Sequence, residues 1–230
     1  MRVTILTDNI AGVCEGEHGF SCLIDADKKI LFDVGPSDIF LRNAEVLKVS
    51  LEDIDCVVLS HGHWDHTNGL EYISDKPLVC HPACFNNKYR KGDNSSNGAP
   101  FSKEEAEKRF RVTFSKEPLA LSNSMIFLGE VPRLNDYEAK KTDFYKDNGD
   151  EDFILDDSAL AVKLPVGLII ITGCSHSGIC NIIEYAKEVC CRDDIYAVIG
   201  GFHLRQLDDV TYKTIRYLKK QNIPRLYSSH

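Results

Sequence analysis

Four side chains able to bind a metal fall within six residues in the run His61-Gly62-His63-Trp64-Asp65-His66. Neutral imidazole and carboxylate are nitrogen and oxygen donors that suit Zn²⁺ best, with Fe or Mn also compatible, and an ion that is to activate solvent needs about three protein ligands and an open position. On a tight loop alternate residues project to similar sides, so His61 and His63 can converge on one ion while Asp65 and His66 address a neighbouring one. One or two divalent ions are therefore expected, zinc first among them. A lone histidine is commonly a solvated loop residue, but solvation does not account for four donors at this spacing.

The elements that must position these residues are written in the periodicity. Short strands are predicted at Val3 to Leu6, Ser21 to Asp25 and Lys29 to Asp33, the last two joined around Asp27, with Gly35-Pro36 ending the third. Ile39, Phe40, Ala44 and Leu47 recur at helical spacing after Ser37, which can cap the first turn, so a helix is expected from Ser37 to Val49. Ile54 to Leu59 is a continuous apolar run rich in β-branched residues, as for a strand buried on both faces, and the histidine cluster begins just past Ser60. From about 81 to 157 the pattern loosens into polar, glycine-bearing stretches with short candidate strands such as Ser124 to Leu128. A segment of that length reads as a loop-rich insertion over the site. Order returns in strands Leu168 to Thr172, Tyr196 to Ile199 and Arg225 to Tyr227, which end at His176, His203 and His230 and are linked by helices over Gly178 to Cys191 and Asp208 to Gln221. Sheet layers covered by helices follow, in a single domain over residues 1–230.

The 230 residues suffice for one large core, and 43% apolar with 27% charged residues is ordinary globular composition. A net charge of −8, with no basic cluster larger than Lys88-Tyr89-Arg90-Lys91, argues against nucleic acid as a partner. No run approaches the roughly 18 apolar residues of a membrane span. The N-terminus turns polar after six residues, unlike a signal peptide, and nine unevenly spaced cysteines fit reduced thiols. A cytoplasmic protein acting on a small molecule is expected, with neither nucleic acid nor membrane as partner.

His-x-His-x-Asp-His just after a buried strand resembles the signature of the metallo-β-lactamase superfamily. The resemblance spans essentially the whole chain and implies an α/β fold, the four-layer αββα sandwich with metals at one edge between its two sheets. Leu31-Phe32-Asp33-Val34-Gly35 is similar to the family's first motif, which implies that Asp33 lies beside the ligands and supports them. His176 matches the third-motif ligand to the first ion, alongside His61 and His63. His230 matches the last-strand ligand to the second, alongside Asp65 and His66. The segments Thr172-Gly-Cys-Ser-His-Ser-Gly-Ile-Cys-Asn-Ile-Ile, Gly129-Glu-Val-Pro-Arg and Gly200-Gly-Phe-His-Leu resemble a subgroup of metal-dependent hydrolases, some of whose members are named as synthases of a dihydropterin-linked aminobenzene riboside phosphate. Many superfamily members bridge their ions with an Asp or Cys on the fourth motif, whereas the strand here ends in His203, and a neutral imidazole cannot bridge. Three roles are open to His203: ligand to one ion, hydrogen bond to substrate, or packed core residue. Relatives usually continue beyond the position of His230. Ordering a terminal residue costs about 1–2 kcal/mol in backbone entropy, so the second ion position is expected to be the weaker.

The resemblance implies hydrolysis in which an ion at His61, His63 and His176 lowers the pKa of a bound water from 15.7 towards about 7 and polarises the scissile bond. With one ion bound, Asp65 is free to orient the water and carry its proton, and is the expected general base. Arg133 is a candidate contact for a substrate phosphate or carboxylate, against the alternative of a surface salt bridge with Glu130 or Glu138. His18 and His81 read as structural or solvated, Cys174 and Cys180 as small packing residues, and Asp150 to Asp152 as a solvated acidic face. Trp64 either walls the site or packs. Three functions are open: a metal-dependent hydrolase of a small phosphate- or carboxylate-bearing substrate, a transferase or synthase joining a dihydropterin to an aminobenzene riboside phosphate, and a metal-binding or sensory protein without turnover.

Overall fold

Two six-stranded sheets, facing one another with helices on their outer sides, make up the computed structural model, which describes residues 1–230. In the first sheet β1 (Arg2–Thr7), β2 (Ser21–Asp25) and β3 (Lys29–Phe32) pair antiparallel, and β4 (Cys56–Val58) and β5 (Pro77–Cys80) continue parallel to β3. The chain then leaves the sheet through β6 (Tyr89–Arg90) and returns as β7 (Arg111–Phe114), parallel to β5. The second sheet begins with the antiparallel pair β8 (Leu119–Ala120) and β9 (Met125–Phe127). Next comes β10 (Phe144–Tyr145), outside that sheet and paired with β6 as a two-stranded ribbon. The sheet is completed by β11 (Ala159–Leu164), β12 (Gly167–Thr172), β13 (Ile195–Gly200) and β14 (Arg225–Ser228), the last three mutually parallel.

Side chains alternate faces along a strand, and here both faces are apolar. Leu160, Val162, Ile169 and Ile171 point between the sheets, where Cys22, Ile24, Ile30, Phe32 and Val58 meet them. Their neighbours Ala159, Ala161, Leu168 and Ile170 point outward. On the first sheet's outer face Leu23, Leu31 and Val57 pack against Phe40 and Ala44 of α1 (Ile39–Val46). The short α2 (Trp64–Thr67) lies within the histidine run, and α3 (Lys103–Arg109), opened by a capping box between Ser102 and Glu105, buries Ala106 on the same side. α4 (Ile179–Cys190) and α5 (Asp209–Gln221) cover the second sheet through Ile182, Ile183, Ala186 and Leu218. The result is the four-layer αββα arrangement, and strands buried on both faces explain the unbroken apolar runs at β4 and β12.

Three expectations change. The stretch from 81 to 157 is not an insertion on a finished fold, because it supplies edge strand β7 to the first sheet and β8 and β9 to the second. β7 alternates exposed and half-buried residues but spans only four of them, too short a run to stand out in the sequence. α1 is shorter than predicted, Ile39 to Val46, although Ser37 Oγ does accept from the Ile39 amide (3.2 Å). The acidic run is divided: Asp150 and Glu151 are exposed, but Asp152 is buried and its carboxylate accepts from the Ile154 amide (3.0 Å). No helix is long and apolar enough to cross a membrane.

The parallel strands carry chemistry at their C-terminal ends. Asp33 follows β3, Ser60 and His61 follow β4, Cys174 and His176 follow β12, His203 follows β13 and His230 follows β14. The two sheets are joined at this rim by the Ser158 amide donating to Ser60 O (2.8 Å).

Candidate metal centre

The histidine run is built tightly into its surroundings. A Cβ on Gly62 would sit 1.7 Å from the Cys84 carbonyl oxygen, so only glycine lets this loop pass. The Gly62 amide donates to Asp156 Oδ2 (2.7 Å), and Asp156 in turn pairs with Lys88 Nζ (3.3 Å), which also donates to Ala83 O (2.9 Å). Both charged residues of that pair are buried. Beyond His63 the chain turns into α2, with Thr67 Oγ1 donating to the His63 carbonyl (2.9 Å), and this helical turn carries Asp65 and His66. The run is thus half loop, half helix, where a loop alone was expected.

Asp33 orients two imidazoles at once. Its Oδ1 accepts from the Ser60 amide (2.7 Å), and its Oδ2 accepts from Ser60 Oγ (2.7 Å) and from His66 Nδ1 (2.8 Å). Ser60 Oγ, having given its proton to Asp33, accepts from His61 Nδ1 (2.8 Å). Both histidines are therefore held with Nε2 facing forward, the arrangement by which an outer carboxylate fixes tautomer and raises donor strength. Asp33 itself adopts a left-handed backbone (φ 52°), and a Cβ on Gly173 would come within 2.1 Å of Ser60 Oγ, so the relay is fitted without slack.

Three sets of donor atoms, each within 4.8 Å of one another, result: His61, His63 and His176; His61, His66 and Cys174; His18, Asp65 and His230. In the first, His61 Nε2 lies 3.0 Å from His63 Nδ1, and His176 Nε2 is buried with no hydrogen-bond partner. In the last, Asp65 Oδ2 is 3.2 Å from His230 Nε2 and 3.3 Å from His18 Nε2, with His66 Nε2 3.8 Å away. His203 belongs to none of the sets; its ring packs 4.3 Å from that of His176, and its Nε2 is buried and unpartnered. His230 is not frayed. Its amide donates to Asp8 Oδ1 (3.2 Å), its Nδ1 meets Asn9 Oδ1 (2.9 Å), and the Ser229 amide donates to Gly200 O (3.0 Å), which removes the reason for expecting a weaker second position.

Burial and neighbouring imidazoles push the pKa values of His61, His63 and His176 well below their usual range, so the first set is neutral, the state in which imidazole binds metal. Burial alone would raise the Asp65 carboxyl, but His66, His230 and His18 hold it at about 2. Burial also opposes charge on His230, yet the Asp65 carboxylate and the Cys174 thiol raise it to about 9. Three neutral imidazoles, an ionised carboxylate beside them and an orphaned His176 Nε2 fit a divalent ion of the zinc type.

The sets open into a cleft of about 990 Å³ walled by Trp64, Phe144, Phe202 and Ile10. Trp64 thus walls the site. Two exposed arginines, Arg90 and Arg205, line it. Arg133 does not: its guanidinium donates to the carbonyls of Val131 (2.6 Å), Phe153 (2.9 Å) and Ile154 (3.1 Å), holding the loop rather than facing the cleft. His18, expected to be structural or solvated, and Cys174, expected to be a small packing residue, both join donor sets, while His81, expected to be structural or solvated, is buried against Glu130 (3.1 Å). Cys174 carried a signal in its spacing two residues before His176; His18 and Arg90 carried none, since folding alone brings them here.

A two-sheet sandwich with this donor cluster at its rim defines one superfamily: the metallo-beta-lactamase sequence profile matches residues 15–189, and the chain belongs to that family. The chain is 37% identical over 229 residues to the uncharacterized protein MJ0448 of Methanocaldococcus jannaschii, covering 96% of this chain and 86% of that protein. It is 32% identical over 256 residues to the 7,8-dihydropterin-6-methyl-4-(beta-D-ribofuranosyl)-aminobenzene-5'-phosphate synthase of the same organism, covering 100% and 87%. The crystal structure of Tm1679, a metal-dependent hydrolase of the beta-lactamase superfamily, superposes with a TM-score of 0.86 at 32% identity, covering 99% of this chain and 87% of that one.

Proposed function

We propose that the protein is a metal-dependent hydrolase acting with water on a small substrate that carries a phosphate or carboxylate. The observation that carries this reading is the convergence of neutral His61, His63 and His176 beside an ionised Asp65 at the floor of an open cleft. His61, His63 and His176 would hold a first divalent ion, and Asp65, His66 and His230 a second. Such ions supply Lewis acidity and bring the pKa of coordinated water from 15.7 to about 7. With the first ion alone bound, Asp65, only 6% exposed and ionised, is free to orient the water and take its proton at Oδ2. His203, at the cleft wall with a free Nε2, hydrogen-bonds the substrate. Arg90 and Arg205 take the anionic group in place of Arg133, and Trp64 and Phe144 exclude water around it.

A second reading is supported by the 32% identical relative named as a synthase: the same cleft, walled by Trp64, Phe144 and Phe202, has the volume and flat apolar surfaces for a bicyclic pterin. The deciding experiment is turnover of metal-loaded protein on phosphodiesters and esters, compared with pterin-dependent condensation. Release of product, lowered about a hundredfold or more in kcat by Asp65→Asn with KM little changed, is the expected outcome. Condensation without hydrolysis favours the synthase, and tight metal with no turnover on either favours a metal-binding or sensory role.

A further inference from the structure

Between the first set of donors and Asp65 lies a group of different chemistry. Cys174 Sγ stands 3.1 Å from His66 Nε2 and forms, with His61 and His66, a set whose donor atoms lie within 4.8 Å. His61 also belongs to the first set and His66 adjoins Asp65 (3.8 Å), so the sulfur sits between the two ion positions. Donors on one tetrahedral ion, with Zn–S near 2.3 Å and Zn–N near 2.0–2.1 Å, lie roughly 3.5 Å apart, within the spread found here. The loop is made for this placement. Ser175, between Cys174 and His176, has a left-handed backbone (φ 60°) and is pinned by its Oγ donating to Gly201 O (2.6 Å). Such a conformation is unfavourable and persists where surroundings enforce it. The Nδ1 atoms of His61 and His66 are both occupied by the Ser60–Asp33 relay, leaving their Nε2 atoms to share space with the sulfur.

We propose that Cys174 is a metal ligand, its thiolate shared between the ion held by His61, His63 and His176 and the position formed by Asp65, His66 and His230. This rests on the metal-centre reading above. A thiolate has lone pairs for two ions, which an imidazole lacks, and His203, its ring packed 4.3 Å from that of His176, offers no bridging atom. A soft sulfur ligand also biases the centre towards zinc or iron over manganese.

The test loads the protein with Co²⁺ and, separately, Zn²⁺. The wild type should show a near-ultraviolet thiolate-to-cobalt charge-transfer band and, by X-ray absorption, a sulfur scatterer at about 2.3 Å from zinc. Cys174→Ser should lose both and bind the second ion at least about tenfold more weakly. Cys174→Asp should keep two ions but lose the band, which guards against a misfolded serine variant, while Cys191→Ser, at an exposed thiol, should leave all signals in place. Cobalt bound with its visible bands but without the charge-transfer band would overturn the thiolate ligand and leave the metal centre standing. Failure of the wild type to bind cobalt or zinc would overturn both.

Discussion

A single carboxylate governs the donor strength of two imidazoles. Asp33 reaches His66 directly and His61 through Ser60, so Asp33→Ala frees both rings to rotate or change tautomer. Loss of such a supporting partner costs about 10–100-fold in metal affinity, and competition with a chromophoric chelator should read that change with the fold intact by circular dichroism. His81 makes the contrasting case of a buried histidine with a structural task. Burial lowers its pKa below 6.5 despite Glu130, so the unfolded chain takes up the proton more readily and stability falls as pH drops below 6.5. His81→Gln should therefore lose melting temperature less steeply than the wild type over that range. The histidine run was legible because its potential donors are contiguous. His18 was not, and Cys174 only through its spacing from His176, since their placement among the donors depends on distances that only tertiary structure sets.

At the scale of elements, the strands buried on both faces announced themselves and the others did not. β4 and β12 are unbroken apolar runs, whereas β7 and β8 are short, half-exposed edges, and β11 alternates small and large residues too weakly to stand out. What the sequence conceals most completely is the support that the histidine run receives from the segment between 81 and 157. Lys88, a member of the basic run Lys88-Tyr89-Arg90-Lys91, is not a surface charge but the buried partner of Asp156, which holds the Gly62 amide. Removing one member of a buried pair leaves an uncompensated charge and costs about 3–5 kcal/mol. Lys88→Met should lose stability of that order in urea unfolding. The double variant Lys88→Met/Asp156→Leu should recover part of it while still loosening the loop.

For the molecule as a whole, the cluster is an assembly problem. His176 Nε2, buried without a partner, would gain one from a bound ion, so metal at this site is expected to stabilise the folded chain by mass action. At a free ion concentration a hundred times the dissociation constant this amounts to about 2.7 kcal/mol, or roughly 5–10 °C in melting temperature for a chain of this size. Calorimetry before and after chelation should record that drop, and an unchanged transition would mean that nothing is bound there. The strands of the first sheet lie within residues 2–114 and those of the second within 119–228. The first span furnishes His61, His63, Asp65 and His66, the second Cys174, His176 and the loop to His203, with His230 just past its end. Any cation lodged at the rim is thus a rivet through two consecutive pieces of polypeptide. Were the backbone severed between Lys116 and Pro118, the fragments would be clasped by their shared apolar seam and by that rivet, and sequestering the cation would ease them apart.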